Sequence, residues 1–507
     1  MTKNIIGIDL GTTMSAIAKL NELGTPEIIP NSDGERIMPS VINFSDNSLL
    51  IGMEAKNSAA DDPSRVAKEF KREMHNSDYR FRVDNKEYIA HELSGMILKK
   101  LAQDASEQIG EIKDVVITVP AYFKENQRNA TMEAGKLAGL NVIAIINEPT
   151  AAALFYSKES NIQGKGIVYD LGGGTFDITM TQTNGNNIKV IASEGDSKLG
   201  GVDFDKVILD LIKEKYKDQT GGELCSDAES VEEFSLMAEE IKKSLSKKPS
   251  LKKKLRSASG SATVEISREE FEEHASILIS KTEMLLEQLL DDTDTNPSEV
   301  DYVLLVGGST RIPAIRESLK SIIGKEPLNA VNVDEVVALG AAIKAGISMG
   351  ELQPAAVSPG IKSGLSNLVV QDVANHSHGT IVVENGREKN VIIIEKNTLL
   401  PCTEEIRTSL MHDDQTSVEC IITQGEGDDP DYVDIIDTYH LTVSLGAKAG
   451  EELRDIYSYD ENQIMHCKTI HLLSGNYAES SMHLKAGKSS TQVENSGGNP
   501  LDEFLIE

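Results

Sequence analysis

The sequence predicts an α/β fold made of two related halves, followed by a smaller antiparallel β domain, and three observations lead to this prediction. Residues 8–13 (IDLGTT) recur as residues 169–175 (YDLGGGT), and each copy follows an apolar run that is typical of a strand. A third glycine turn, residues 306–311 (VGGSTR), also follows an apolar run. Near residue 350 the alternation of strands and helices gives way to short β-rich runs. We therefore expect two half-domains that close on one ligand.

Both repeated turns have the composition of a phosphate-binding loop. In each, a strand ends in an aspartate, Asp9 or Asp170, and Gly and Thr follow it, which places a carboxylate beside a tight turn of free backbone N–H groups. Such a turn suits a cation held against phosphate oxygens. Glycine lets the backbone approach the ligand, because no Cβ stands in the way. Together with the third turn, this pattern predicts a nucleotide site between the halves.

Strand and helix signals alternate through the first 350 residues. Residues 115–119 predict a strand that ends at Pro120, and residues 125–140 predict the helix that follows it. Pro149 suits the first turn of a further helix. Helical periodicity also marks residues 92–109 and 231–245.

The pattern changes after residue 350. A break at residues 353–360, rich in Pro and Ala, precedes an apolar stretch at residues 368–373 (LVVQDV). Short β-rich runs then occupy residues 380–383, 391–394, 418–423, 440–443 and 469–473. These runs predict an antiparallel β domain. Residues 487–500 are rich in Ser, Gly and Asn, which predicts a disordered tail.

Composition and charge exclude several classes of protein. The chain of 507 residues has a formal net charge of -31, which argues against a nucleic-acid partner and against an anionic membrane surface. No N-terminal apolar segment and no run of about 18 apolar residues occurs, so we expect neither a Sec signal nor a spanning helix. The four cysteines lack metal-site spacing. We expect a cytoplasmic protein, with export by a non-Sec route left open. The basic run at residues 247–256 is interpreted as a solvated hairpin face.

Six motifs occur in an order that is typical of one family: IDLGTT, VPAYF (119–123), NEPTAAA (147–153), DLGGGTFD (170–177), LGG (199–201) and GGSTRIP (307–313). On these motifs the chain resembles the seventy-kilodalton heat-shock chaperones, close to the DnaK-type members. The resemblance implies a two-lobed actin-like ATPase domain with duplicated ribonuclease-H-like halves, and then a small antiparallel β-sandwich domain. It places the ATPase domain at residues 1–362, a linker at 363–373, a β-rich substrate-binding domain at 374–486 and a tail at 487–507.

The resemblance assigns the phosphate and metal site residue by residue. Asp9 and Asp170 are expected to hold a hydrated magnesium ion, and Lys71 to reach the γ-phosphate and the attacking water. Glu148 resembles a carboxylate that orders water and metal, and Thr175 a further member of the hydrolysis site. The other residues expected near the phosphates are Gly11, Thr12, Thr13, Gly172, Gly173, Gly174, Asp177, Gly200 and Gly201. ATP or ADP and Mg²⁺ are the implied cofactors, with K⁺ left open.

The adenosine end of the site is expected on a helix and a loop. Glu239, Lys242 and Ser246 are spaced three and four residues apart, so they share one helix face. The resemblance places them at the adenosine, although any exposed helix carries such residues. The predicted adenine and ribose pocket is completed by Gly307, Gly308, Ser309, Arg311 and Asp334. Asp334 also suits the N-cap of the helix that follows it.

Two further features resemble the family's connection between domains. Pro120 and Arg128 align with residues that relay the nucleotide state, although Pro120 is also a simple strand terminator. Residues 368–373 resemble the acidic and apolar linker that docks on the ATPase domain. Gln371 replaces an apolar residue there, which is expected to weaken docking.

Several positions depart from the family pattern. His376 and His378 stand where the family usually has leucines, and Cys420 lies on a presumed pocket strand, so we expect a polar groove that releases apolar peptides quickly. The first hairpin loop of the β domain is highly charged, with Glu384, Arg387, Glu388 and Lys389. Residues 487–507 leave no room for the family's helical lid. Ala144 replaces an arginine that contacts the J-domain co-chaperone, so that coupling is expected to be altered.

Three functions are compatible with these observations. The first is an ATP-dependent chaperone in which hydrolysis controls polypeptide binding by the β domain. The second is a nucleotide-gated binding or regulatory protein for one particular partner, with little general chaperone activity. The third, a sugar or small-molecule kinase, is the least favoured. The expected partners are a polypeptide client or one specific protein, a J-domain co-chaperone and a nucleotide exchange factor, with no nucleic acid and no membrane.

Overall fold

The computed structural model describes residues 4–45, 49–160, 162–328, 332–352, 357–365, 368–460 and 464–481. Its α-helices are α1 (Met53–Asn57), α2 (Ala90–Ile109), α3 (Glu125–Leu137), α4 (Glu148–Ser160), α5 (Gly201–Thr220), α6 (Ala228–Leu245), α7 (Arg268–His274), α8 (Ser276–Asp292), α9 (Pro313–Ile323), α10 (Val336–Leu352) and α11 (Pro359–Gly364).

The strands of the α/β part are β1 (Ile6–Asp9), β2 (Met14–Leu20), β3 (Pro26–Ile28), β4 (Met38–Pro39), β5 (Val41–Phe44), β6 (Leu49–Ile51), β7 (Val66–Lys68), β8 (Phe81–Val83), β9 (Lys86–Tyr88), β10 (Asp114–Val119), β11 (Asn141–Asn147), β12 (Gly164–Leu171), β13 (Phe176–Asn184), β14 (Asn187–Asp196), β15 (Ser250–Ser257), β16 (Gly260–Ser267) and β17 (Tyr302–Val306). After α11 come β18 (Val369–Gln371), β19 (His378–Glu384), β20 (Arg387–Ile394), β21 (Cys402–Ser409), β22 (Ser417–Gln424), β23 (Asp434–Thr442), β24 (Glu452–Tyr459), β25 (Met465–His471) and β26 (Tyr477–Ser481).

Two large sheets in the α/β part repeat one topology. The first has the strand order β11-β10-β1-β2-β3, and the second has the order β17-β12-β13-β14-β18. In each sheet one central strand, β1 or β12, pairs antiparallel with the next strand in the chain and parallel with a later strand, β10 or β17. The β1–β2 and β12–β13 turns therefore occupy equivalent positions. This duplication confirms the predicted fold of two related halves.

Helices α4 and α10 pack together in the core that joins the two sheets. Glycine permits the close approach, because a Cβ at Gly7 would lie 2.1 Å from the Ala342 backbone nitrogen. A Cβ at Gly340 would lie 1.8 Å from the Ala151 carbonyl oxygen, so α10 crosses α4 with almost no space between their backbones. Such contacts leave little freedom for one sheet to shift against the other. They fix the relative positions of the two glycine turns.

The β part consists of two antiparallel sheets, with strand orders β20-β19-β22-β23 and β21-β24-β25-β26. Their inner faces share one apolar core that includes Ile394, Ile422, Leu441 and Met465. Along β24 buried residues alternate with more exposed ones, as expected for a strand with one face on a core. This arrangement agrees with the predicted β-sandwich.

The sequence recovers some elements of the β part and misses others. The five predicted runs fall on β19, β20, β22, β23 and β25. β21, β24 and β26 were not predicted, because charged and polar side chains interrupt their apolar alternation; β21, for example, carries Glu404, Glu405 and Arg407. The basic run forms the β15–β16 hairpin, as interpreted. The predicted tail lies outside the described residues. No helix among the residues that the structure describes has the length and apolar character needed to cross a membrane.

The linker adds a fifth strand to the second sheet. β18 pairs in parallel with β14, so that Val370 faces Ile188 across the pair, and the Val369 N–H donates to the Asn186 carbonyl at 3.0 Å. Leu368 and Val370 pack on the core between the sheets, whereas Val369 is 48% exposed. Docking of the linker therefore covers Leu368 and Val370 and leaves Val369 exposed, because side chains alternate between the two faces of a strand.

Candidate active site

A cleft of about 840 Å³ lies between the two halves. Most of the predicted nucleotide-site residues line it, although they come from widely separated segments of the chain: Asp9, Gly11, Thr12, Thr13, Lys71, Glu148, Asp170, Gly172, Gly173, Gly174, Thr175, Gly201, Glu239, Lys242, Ser246, Gly307, Gly308, Ser309, Arg311 and Asp334. Gly200 and Asp177 stand behind this lining. A Cβ at Gly200 would lie 2.6 Å from the Gly174 nitrogen, and Asp177 is 1% exposed.

The two repeated glycine turns face each other across the cleft floor. A Cβ at Gly173 would lie 2.0 Å from Oγ1 of Thr13, and a Cβ at Gly174 would lie 2.4 Å from Cγ2 of Thr12. Any larger residue would push the turns apart. The third turn joins them, since the Ser309 hydroxyl donates to the Gly172 carbonyl at 2.9 Å. Backbone N–H groups from related turns are thus gathered in one place, which suits an anionic ligand.

A buried ion pair occupies the centre of the site. Lys71 lies in the 3-10 helix Phe70–Glu73, and its Nζ is 2.7 Å from Oε1 of Glu148, the first residue of α4. Lys71 is only 3% exposed. A lysine with so little solvent around it retains its charge most readily beside a carboxylate. The pair therefore holds a cation beside the glycine turns.

Three more carboxylates surround this pair. Burial, together with the negative charge of Glu148, raises the pKa of Asp9 to about 7, and the same two causes raise the pKa of Asp177 to about 7. The pKa of Asp170 is also raised, first by burial and then by Glu148. Four carboxylates thus lie near one lysine. Their mutual repulsion makes the cleft favourable for a divalent cation.

The donor set of the site fits magnesium. Oδ1 of Asp177 accepts a hydrogen bond from the Tyr122 N–H at 2.9 Å, while Oδ2 is buried and has no hydrogen-bond partner among the described residues. Carboxylate oxygens are the ligands that hard divalent cations prefer. In the part of the chain that the structure describes, no three His, Cys, Asp or Glu side chains converge closely enough to ligate a metal directly.

Ion pairs organise the predicted adenosine end. The Lys242 ammonium lies 2.8 Å from Oδ1 of Asp205 and donates to the Gly201 carbonyl at 2.8 Å. Burial opposes ionisation of Glu239, but Lys56 and Lys243 outweigh it and lower the pKa of Glu239 to about 2. Glu239 is therefore ionised and its oxygens are engaged by two lysines. This shared helix face was predicted, but its lysine partners were not.

The Arg311 guanidinium makes two contacts with Asp334, at 2.7 Å and 3.1 Å. A bidentate pair of this kind holds both side chains in one orientation. A Cβ at Gly308 would lie 3.1 Å from Oδ1 of Asp334, so the glycine lies directly against the pair. The alternative role of Asp334 as the N-cap of the next helix is not supported, because α10 begins at Val336, two residues after Asp334.

Ion pairs between distant segments, at or beside the cleft, were missed by the sequence analysis. Lys56 contacts Glu239 at 2.5 Å, and Arg36 contacts Glu335 at 2.7 Å. Lys68 binds Glu232 in the same way. Each pair joins residues more than 160 positions apart. No local sequence pattern predicts these ion pairs, because a single lysine or glutamate is interpreted as an exposed surface charge unless its partner in the fold is known.

Comparison with known proteins decides the family. The model of the Hsp70 protein family matches residues 5–84 and 75–497. The chaperone protein DnaK of Halobacterium salinarum strain R1 is 36% identical over 501 residues, which is 97% of this chain and 77% of that protein. The DnaK of strain NRC-1 of the same organism matches to the same extent. The chain belongs to the Hsp70 family.

The segment that carries the predicted Hsp70 relay residues leads from the site to the linker. Arg128 donates to Oδ1 of Asn147 at 2.7 Å. The Asn147 amide and the Thr150 hydroxyl then donate to the linker carboxylate of Asp372, at 3.0 Å and 2.9 Å. Pro120, the other predicted relay residue, follows the last residue of β10, Val119. The NEPT motif, which begins with Asn147 and includes Glu148 of the central ion pair, thus contacts the linker through its other side chains.

The β part of this Hsp70 chain packs against the same segment. The Tyr459 hydroxyl donates to Oε2 of Glu125 at 2.7 Å, and the Glu125 N–H donates to Oε1 of Gln424 at 3.3 Å. Ion pairs Lys396–Glu194 and Lys124–Asp434 add to the contact. None of these pairs was predicted from the sequence.

The interface corrects the expected positions of three polar residues. His376 and His378 were placed in a peptide groove, but they are 6% and 1% exposed at the contact with the α/β part. Cys420 was placed in the same groove, but it is 7% exposed in the core of the β part. The alternation of apolar and polar residues along a strand shows which face packs on the strand's own domain. It does not show whether a second domain covers the other face. Ala144 is buried in β11.

Proposed function

We propose that this chain is an ATP-dependent molecular chaperone of the Hsp70 type, in which ATP hydrolysis controls polypeptide binding by the β domain. The chain is an ATPase of this family. The observation that carries the proposal is the Lys71–Glu148 pair, which is buried among Asp9, Asp170 and Asp177 between two facing glycine turns. Neither the comparisons nor the described contacts favour a partner-specific module or a small-molecule kinase.

Each part of the site has a proposed role in hydrolysis. The backbone N–H groups of the glycine turns neutralise charge on the β- and γ-phosphates, and Lys71 does the same near the attacking water. Asp9 and Asp170 would hold magnesium through waters, and the ion would supply further positive charge at the phosphates. Glu148 orients water. Positioning and electrostatic stabilisation account for most of the rate of phosphoryl transfer.

A chain of contacts connects the nucleotide site to the β domain, so that the identity of the bound nucleotide can affect the domain interface. Asp177 accepts from the Tyr122 N–H, and the Tyr122 carbonyl lies 3.2 Å from Nε2 of His376 in the β part. A change in charge at the γ-phosphate position therefore acts on Asp177, and one residue separates Asp177 from the domain interface. The linker strand β18 and Asp372 supply a second route. We propose that loss of the γ-phosphate loosens both.

The remaining assignments belong to the same proposal. The ATPase domain spans residues 1–362, the linker 363–373, the substrate-binding domain 374–486 and the tail 487–507. The adenosine lies between Glu239, Lys242 and Ser246 on one side and Arg311 on the other. The clients are extended polypeptides in the cytoplasm, with a J-domain co-chaperone and an exchange factor as partners and K⁺ as an additional ion. Ala144 offers no guanidinium to a J-domain, so that coupling to ordinary J-domain co-chaperones is altered.

The experiment measures two activities of the full chain. Phosphate release from ATP is followed with magnesium, and dissociation of a labelled polypeptide is followed with ATP and with ADP. We expect slow phosphate release and faster polypeptide dissociation with ATP. Lys252→Ala serves as a matched control, because this lysine is exposed on the β15–β16 hairpin away from the cleft. Phosphate release that leaves polypeptide binding unaffected by the nucleotide would contradict the chaperone proposal.

A further inference from the structure

Two histidines of the β part lie at its contact with the ATPase part. His376 is 6% exposed, its ring packs edge-on against the ring of Tyr122 with centroids 4.7 Å apart, and its Nε2 is 3.2 Å from the Tyr122 carbonyl oxygen. Tyr122 belongs to the VPAYF motif of the other domain. Because that carbonyl can only accept, the neutral imidazole carries its proton on Nε2. His376 therefore spans the domain interface.

His378 is buried more deeply than His376. It is 1% exposed, and neither ring nitrogen has a hydrogen-bond partner of normal geometry among the described residues. Its ring packs edge-on against Tyr459, with centroids 5.4 Å apart. The Tyr459 hydroxyl in turn reaches Glu125 of the ATPase part. A charge on this ring would have no partner to offset the loss of water.

A small cavity lies beside both rings at the interface. Phe123 and Arg128 line it from the ATPase part, and Asn375, Leu400, Gln424 and Tyr459 line it from the β part. Its position shows that the two domains together enclose the histidines. Separating the domains would admit water to this side of His376 and His378.

The charged groups around the rings mostly disfavour protonation. Burial lowers the pKa of His376 to about 4, and Lys124 and Arg128 act in the same direction, whereas the Tyr122 carbonyl and Glu426 oppose them. Burial lowers the pKa of His378 to about 3, and the charges of His376 and Arg128 act in the same direction, whereas a hydrogen bond with the His376 backbone opposes them. Glu426 already accepts from the Ser377 N–H, and Lys124 is paired with Asp434.

We propose that His376 and His378 form a proton-sensitive joint, so that acidification separates the β domain from the ATPase domain. Docking requires both imidazoles to be neutral, because the interface removes their water and supplies almost no negative charge. Protonated histidines are stable only after the domains separate. Acid thus has the same effect on docking as loss of the γ-phosphate.

The size of the effect follows from linkage. An exposed histidine has a pKa near 6.5, so at pH 5.5 it is about ten-fold more protonated than neutral, while the docked form stays neutral. Each histidine that becomes exposed therefore weakens docking about ten-fold at pH 5.5, and both together about 100-fold. The loss begins as the pH falls through about 6.5, the exposed value.

Glu125 acts in the opposite direction. Burial raises its pKa, and the Tyr459 hydroxyl and Arg128 lower it only in part. Docking therefore favours the protonated form of Glu125, so acid stabilises docking as the pH falls from the raised pKa of the docked form towards the ordinary pKa of a glutamate. Glu125→Gln keeps an oxygen for Tyr459 and removes this opposing titration. We expect the acid-induced loss of docking to be steeper in this variant.

Hydrogen exchange of the ATP-loaded full chain measures docking directly. The Val369 N–H is protected by the Asn186 carbonyl when β18 is paired. Its protection factor, corrected for the intrinsic exchange rate at each pH, is expected to fall about 10- to 100-fold between pH 7.5 and pH 5.5. The amides of β12, in the core of the ATPase part, serve as an internal reference and are expected to change little.

Matched variants test which groups are responsible. His376→Gln should reduce the pH dependence about ten-fold, and His440→Gln should leave it unchanged, because His440 is exposed on β23. An equal fall in wild type and His376→Gln would overturn the proposal. If a variant does not fold, imidazole NMR on the wild-type chain decides the question. With ATP bound, two of the ten histidines should take up protons only as the protection of the Val369 N–H is lost. Ordinary titration of all ten while β18 stays protected would also overturn the proposal.

Discussion

Lys71→Ala is the sharpest test of the site, because this side chain is the cation of the buried central pair. Its Nζ lies 2.7 Å from Glu148 and it is 3% exposed, so no solvent molecule can easily replace its charge. Removing one preorganised donor from a developing charge typically lowers the rate about 10²- to 10³-fold. ATP itself is bound by several backbone donors as well. We therefore expect hydrolysis to fall by this factor while ATP still binds.

The same substitution should make ATP binding more sensitive to pH. Lys71 lowers the pKa of Asp9, which is nevertheless about 7 because of burial and Glu148. Without the lysine the pKa of Asp9 rises further, and a protonated Asp9 no longer attracts magnesium. Affinity for Mg·ATP should thus fall more steeply below pH 8 in the variant than in wild type.

The assay combines single-turnover hydrolysis with calorimetric titration of Mg·ATP at pH 8. Lys252→Ala controls for the loss of one positive charge from the surface, and it should match wild type in both measurements. Hydrolysis by Lys71→Ala within two-fold of the control would refute the proposed role of the cation. Equal losses of binding and hydrolysis at pH 8 would instead assign Lys71 to ground-state binding.

Three further predictions address the remaining parts of the molecule. Gly308→Val should weaken binding of a fluorescent adenine nucleotide at least about ten-fold, because the branched side chain meets Asp334 at the cleft wall; unchanged affinity would argue against this adenosine pocket. Val370→Asp should make proteolysis of the linker fast and independent of nucleotide, because it places a charge on the core under β18; retained protection by ATP would contradict the linker role. In wild type, Mg·ATP affinity should decrease as the pH falls below about 7, because Asp9 and Asp177 take up protons there; calorimetry at pH 6 and pH 8 that gives equal affinities would exclude this linkage.

The nucleotide site could be predicted to a large extent because its chemistry is local. Each repeated glycine turn contains its carboxylate, its glycines and its hydroxyl within a few residues. Short segments of sequence are therefore sufficient to predict the class of ligand. The duplication of the two turns also predicted the duplicated sheets. By contrast, the partners of Glu239 and Glu335 are Lys56 and Arg36, in distant segments. Nothing in a linear pattern identifies such pairs.

In the β part, too, local features were predicted from the sequence and long-range contacts were not. Short β-rich runs predicted five of its strands. Charged strands such as β21 were not predicted, because they contain few apolar residues. His376, His378 and Cys420 were expected to share a groove. The fold instead buries Cys420 in one core and encloses the histidines between two domains. Burial by another domain depends on the docking geometry, which strand periodicity does not contain.

The sequence by itself determined the family, the duplicated α/β architecture, the phosphate turns and the carboxylates that suit magnesium. These features depend on residue chemistry over a few neighbouring positions, where spacing dictates geometry. Only the tertiary structure decided the pairing of Lys71 with Glu148, the docking of β18 as a strand and the enclosure of His376 and His378. These features depend on contacts between segments far apart in the chain. Their energies come from desolvation and charge, which exist only after the segments are packed together.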